Sequence, residues 1–227
     1  MVTTPAREVP PPEARRWFAL VCVAIVGYVV LDAIAQLLPP HYSPISQAES
    51  DLAVGPYGGI MTANFVLRGA LTLLFLAAFA RTVAAEGGSW RQYRRAYAAF
   101  LVWGVGAFLL AAFPTDVPAT PVSWHGAIHL VVAVLAFLGG ALGTYWFATR
   151  FEHSAVLRPA QGWALALAGV TILLVVVELV GANLVHRVAD EAGGLIERVF
   201  LGSVLLWIFL VSAYLARSRT APGPRAG

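Results

Sequence analysis

His125 and His129 stand four residues apart, and Asp116 precedes them across a segment broken by Pro114, Pro118 and Pro121. Residues at i and i+4 share one face of a helix. Two imidazoles with a nearby carboxylate are a donor set that can hold zinc, and a zinc ion held there would activate water for hydrolysis. His-x-x-x-His without the intervening Glu of the zinc-protease motif is a weak signal for this chemistry. The plainer readings are a core histidine at His129 and a turn or N-cap residue at Asp116. A second group of chemically capable residues, Asp32, Asn64, Arg68 and Glu178, lies inside long apolar runs. Ionisable groups are expensive in hydrocarbon, so each is a functional-site candidate by default. Together with Asp116 and His129 they could bind a small ligand or relay protons. Arg68 keeps its charge and needs an anion or several carbonyls. Glu178 is the first-choice partner and Asp32 the second, and an ion pair that only fixes helix register is the structural alternative. No nucleophile elbow, phosphate-binding glycine loop or dinucleotide fingerprint is present.

The elements that must position these groups follow from composition. The 227 residues are 59% hydrophobic and 12% charged, with mean hydropathy +0.75. A soluble domain carries about 25% charged residues, so this is the composition of a membrane protein, with the lipid bilayer as its first partner. All fifteen basic residues are Arg and cluster beside apolar runs, which argues against nucleic acid as a partner. Cys22 is the only cysteine, so no disulfide or cysteine metal site forms within one chain. Hydropathy and breakers predict an all-α bundle of six transmembrane helices over residues 17–38, 57–80, 96–113, 124–148, 161–185 and 194–216. Each is close to or above the length that a hydrocarbon core of about 30 Å requires. Residues 1–16 and 217–227 read as disordered tails rich in Pro and Arg. Ala33-Ile34-Ala35 also resembles a signal-peptide cleavage site, but cleavage there would remove Asp32 and one helix of the bundle. Ser46 followed by Glu49 is a capping-box pattern and predicts a short helix over 46–54, ended by Gly55 and Pro56.

Sidedness follows from arginine. The two tails and the loops after spans two and four hold twelve Arg, whereas the three opposite loops hold only Arg187. The positive-inside rule then predicts a multi-pass protein of the plasma (inner) membrane with both termini cytoplasmic. Helical rise places Asp32, Asn64, His129 and Glu178 roughly 8–10 Å below the outer boundary and Arg68 one turn deeper. Glu49, Asp51 and Asp116 could close this layer from above, with Glu197 and Arg198 at the mouth of span six. Gly139-x-x-x-Gly143, Gly104 and Gly106 allow close helix approach.

Ser50-Asp51-Leu52, Gly55-Pro56-Tyr57-Gly58 and Met61-Thr62-x-Asn64-Phe65, then Phe113-Pro114-Thr115-Asp116 and Gly126-x-x-His129, carry a family resemblance. The chain resembles the bacterial and archaeal membrane family catalogued as domain of unknown function 998, over roughly residues 19–215. Met61-Thr62 departs from the Met-Asn expected at that place. The resemblance implies a polytopic helical membrane protein of about six spans and no established activity. Two functions then stand as expectations. One is a non-enzymatic transporter, sensor or assembly factor whose polar layer takes a small ligand or protons. The other is a membrane-embedded, metal-dependent hydrolase acting on a lipid-like substrate, with zinc on His125, His129 and Asp116.

Overall fold

The computed structural model describes residues 10–116, 120–184 and 186–218, over 182–190 as backbone only. Among these residues all regular structure is helical. Six long helices run α1 (Pro12–Leu37), α2 (Gly58–Ala85), α3 (Arg94–Ala112), α4 (Trp124–Ala148), α5 (Gln161–Leu184) and α6 (His186–Arg217). Short 3-10 turns occupy Glu49–Ala53, Trp90–Tyr93, Phe151–His153 and Arg158–Ala160. Six helical segments are long and apolar enough to cross a membrane. At about 1.5 Å per residue, the 26 residues of α1 span about 39 Å. The protein is therefore an all-α, multi-pass integral membrane protein.

Each helix packs on the next in sequence, and α1 closes the ring against α6. Short connections force antiparallel neighbours, so the amino end of α1 and the carboxyl end of α6 lie on one face of the bundle. Three differences from the sequence reading have physical causes. First, the expected tail over 1–16 is helical from Pro12, because proline is pre-organised for the first helical position and Glu13 complements the helix N-terminus; residues 1–9 lie outside the described residues. Second, the loop expected before span six is the first two turns of α6, which begins at His186. Gly194 there has a packing reason, because a Cβ on it would meet the Gln47 carbonyl oxygen at 2.0 Å. Third, the helix expected over 46–54 shrinks to the 3-10 turn Glu49–Ala53, with no side-chain cap at its start. Residues 219–227 of the expected second tail lie outside the described residues.

The two halves of the interior differ in kind. Near the face that holds the chain ends, Phe75, Phe79, Phe100, Phe147 and Trp207 form one aromatic cluster. Its ring centroids are 4.7 Å apart for Phe79–Phe147 and 5.2 Å for Phe100–Phe147. Trp207 satisfies its indole by donating to the Ala164 carbonyl oxygen at 3.0 Å. Helices α3 and α4 approach closely because Gly143 leaves room for the Phe100 ring, where a Cβ would sit 2.2 Å from Cδ1. The opposite half holds the buried polar residues Glu49, Asn64, Arg68, His129 and Glu197. An aromatic floor thus supports a polar layer, and the layer is where the chemistry must be sought.

Candidate functional site

The segment between α1 and α2 folds across the end of the ring opposite the amino end of α1 and the carboxyl end of α6. Arg198 of α6 holds it down. Its Nη1 donates to the carbonyl oxygens of Pro44 and Gln47, both at 2.9 Å, and of Gly194 at 3.0 Å, while Nη2 donates to the Tyr42 hydroxyl. The Leu195 amide donates to the Ile45 carbonyl at 2.9 Å, and the Tyr42 hydroxyl to the Ala48 carbonyl at 2.8 Å. These bonds fix the backbone just before Glu49 and turn its side chain inward, where it is 2% exposed. The Tyr28 hydroxyl of α1 donates to Glu49 Oε1 at 2.5 Å, and the Glu49 amide donates to Glu197 Oε2 at 2.9 Å. A loop carboxyl has become the centre of the polar layer.

Asp32 lies beside it. Asp32 Oδ2 accepts from Gln36 Nε2 at 2.5 Å, whereas Asp32 Oδ1 and Glu49 Oε2 are buried and meet no donor. The Asp32 and Glu49 carboxyls lie close enough for the charge of Asp32 to act on Glu49. Two ionised carboxylates cannot bond, because both are acceptors only; the arrangement is satisfied when one of them carries a proton. Burial above all, and next the negative charge of Asp32, push the Glu49 carboxyl up to about 8; Glu197 adds to the rise, and Arg68 opposes it. The pair opens onto a cavity of about 210 Å³ whose walls include Tyr28, Asp32, Glu49, Arg198 and Gly202.

Arg68 is 1% exposed and lies below this pair. Its guanidinium stacks on Trp103 at 4.5 Å and stands 5.3 Å from the Phe65 ring centre. Cation–π attraction of this kind stabilises a desolvated guanidinium by about 2 kcal/mol. Among the described residues the Arg68 guanidinium makes no hydrogen bond or ion pair, and its Nε and Nη2 are buried without an acceptor. The expected partners therefore do not pair with it. Glu178 stands across the ring on α5 and lies instead in electrostatic range of Glu197. Asp32 interacts with Glu49, Gln36 and Arg198. The acid whose charge Arg68 balances is Glu49. Asn64, one turn nearer the mouth, donates to the Tyr28 carbonyl at 3.2 Å and ties α2 to α1, leaving its Oδ1 without a donor.

Asp116, His125 and His129 occupy a separate corner between α3 and α4. Asp116 accepts from the Ser123 amide at 2.9 Å and from its hydroxyl at 2.5 Å. Ser123 in turn accepts from the Gly126 amide as the N-cap of α4. Asp116 thus braces a helix start, and these two bonds from Ser123 hold its carboxyl below the usual range. His129 is buried and bonds the Phe113 carbonyl through Nδ1 at 2.8 Å. The His125 ring, 38% exposed, bonds the Pro114 carbonyl at 3.2 Å and stays 3.8 Å from Asp116. Each ring nitrogen Nδ1 is turned to a backbone carbonyl rather than to a common centre. Among the described residues no three His, Cys, Asp or Glu side chains converge as a metal site requires. The geometry does not assemble the donor set Asp116, His125 and His129.

Tyr28, Trp103 and the inward turn of Glu49 were not legible as site features from the sequence. An acidic loop with no Lys or Arg between spans one and two was the available signal for Glu49. The family model described as Protein of unknown function (DUF998) matches residues 22–214. No curated protein and no solved structure matches the chain.

Proposed function

The chain belongs to the DUF998 family, which has no described activity, and on that premise we propose that its polar layer is a proton-binding site. In this proposal the layer exchanges the proton shared by Asp32 and Glu49 for a small cationic or zwitterionic solute. One observation carries it: two buried carboxyl oxygens, Asp32 Oδ1 and Glu49 Oε2, meet no donor in residues that line the same cavity of about 210 Å³. A solute's positive group would replace the proton between them. The protein would then act as a small transporter or sensor rather than as an enzyme. Every group facing the pair is consistent with this use. Tyr28 donates to Glu49, and Arg68 balances one negative charge from below. Glu197 and Arg198 bracket the pair from α6, and Glu178 backs Glu197 from α5.

The protein reconstituted in liposomes tests this by titration. Between about pH 9 and about pH 6, wild type takes up about one proton more per chain than Glu49→Gln, because the carboxyl that binds it is gone. Equal uptake by the two proteins contradicts the proposal. With a pH-sensitive dye inside the liposomes, added glycine or methylammonium separates the two roles. Solute-dependent proton flux, lost in Glu49→Gln, identifies a transporter, and proton release without flux identifies a sensor.

We also propose that both termini face the cytoplasm of a cell whose plasma membrane holds the protein, which puts the site on the outer side. The support is the distribution of arginine between the two faces. In a background with Cys22 replaced by alanine, an impermeant thiol reagent on intact cells should label His41→Cys and spare Ser89→Cys. Both positions are exposed. Labelling of Ser89→Cys alone would invert the orientation.

A further inference from the structure

On the face that holds the amino end of α1 and the carboxyl end of α6, far from the polar layer, a cavity of about 530 Å³ opens between the start of α3 and the end of α4. Arg91, Arg94, Arg95 and Arg150 line it, together with Trp146 and Glu152. Elsewhere on this face Arg81 has an acid, Glu13, at 3.0 Å. The four lining arginines have none among the described residues. Glu152, the acid in the wall, stands 3.5 Å from His153 instead. The N-terminus of α3 also ends in this wall. That helix of 19 residues has no side-chain cap and no acidic residue in its first turn. The positive end of its dipole is thus not answered by an acid of its own first turn. Arginines that only set topology could be scattered over the surface; these converge on one concave space at membrane-interface depth, where Trp146 supplies an amphipathic wall.

We propose that this cavity binds a phosphoryl group. Forked guanidinium donors match phosphate oxygens two at a time, and a helix N-terminus adds a favourable field. A basic pocket just beyond the ends of membrane helices is the setting in which anionic lipid headgroups are held. The same chemistry would accept free phosphate or a soluble phosphate ester from the adjoining aqueous phase. The cavity is remote from Glu49 and does not depend on the proton-binding proposal.

The test is native mass spectrometry of the full chain in detergent, titrated separately with phosphatidylglycerol, phosphatidylcholine and inorganic phosphate. Phosphatidylglycerol should bind about tenfold more tightly than phosphatidylcholine, and the triple variant Arg94→Gln, Arg95→Gln, Arg150→Gln should lose that preference. The charge-matched control Arg16→Gln, Arg81→Gln, Arg217→Gln, on the same face but outside the cavity, should keep it. Inorganic phosphate that binds wild type and control but not the triple variant assigns the site to a soluble phosphate. If the triple variant does not fold, Arg94→Gln and Arg150→Gln tested singly should each weaken binding several-fold. Equal binding of both lipids with no phosphate binding overturns the proposal, as does an equal loss in the control variant.

Discussion

Arg68→Leu should destabilise the bundle by about 3 kcal/mol near pH 9 and by much less near pH 6. Removing one member of a buried charge pair costs about 3–5 kcal/mol because the other charge is left uncompensated. Arg68 has no bonded partner, yet it is the cation that opposes the burial and the Asp32 charge acting on Glu49. Above about 8 the Glu49 carboxyl is ionised, and without Arg68 its charge joins those of Asp32 and Glu197 with no cation below. Below that value Glu49 holds its proton, and leucine in place of the guanidinium strands nothing. Adding Glu49→Gln to Arg68→Leu should recover most of the loss near pH 9. Adding Glu178→Leu should not, because α2 packs on α1 and α3 whereas α5 packs on α4 and α6. Thermal melting of the four proteins at the two pH values measures this. Recovery by Glu178→Leu would restore the pairing expected from depth alone.

Glu49→Gln should flatten the pH dependence of stability between about 4.5 and about 8. Glu49 titrates near 4.5 when exposed and at about 8 in the fold. The folded protein therefore keeps a proton that the unfolded chain releases. The stabilisation is complete below 4.5, falls as pH rises, and is gone once the pH passes about 8. A tenfold difference in acidity between fold and unfolded chain corresponds to about 1.4 kcal/mol, so several kcal/mol of pH-dependent stability rest on one loop residue. Glutamine keeps the shape and the acceptor for Tyr28 but cannot ionise. Asp32→Asn should reduce the slope without abolishing it, since burial is the larger cause and the neighbouring charge the smaller. Melting temperatures at intervals of about one pH unit decide. An unchanged slope in Glu49→Gln would place the buried proton elsewhere.

Periodicity and hydropathy carried the architecture because each span is decided locally, by length and apolarity. They also carried depth, because helical rise is constant. Asp32, Asn64, Arg68, His129 and Glu178 lie in one half of the bundle, as their positions along the spans implied. Azimuth was not legible. Depth says which layer Arg68 and Glu178 share, but only the ring order of helices shows that they stand on non-adjacent elements. Glu49 was obscured for another reason. Ser46 and Glu49 fit a local capping box, and that local pattern lost to tertiary bonds from Arg198 and Glu197, more than 140 residues away, which turn the side chain inward. Asp116 shows the converse. Its local role at the start of α4 prevailed, and the three-residue metal set did not assemble around it.

Infrared spectroscopy tests directly whether Asp32 and Glu49 hold a proton, as proposed. A protonated carboxyl absorbs apart from carboxylate and amide groups and shifts on deuterium exchange. In the reconstituted protein near pH 7, the difference between wild type and Glu49→Gln should show one protonated-carboxyl band. That band should vanish as the pH is raised through about 8. A wild-type spectrum with no such band near pH 7, or a band that survives intact in Glu49→Gln, would show that Asp32 and Glu49 do not hold a proton between them.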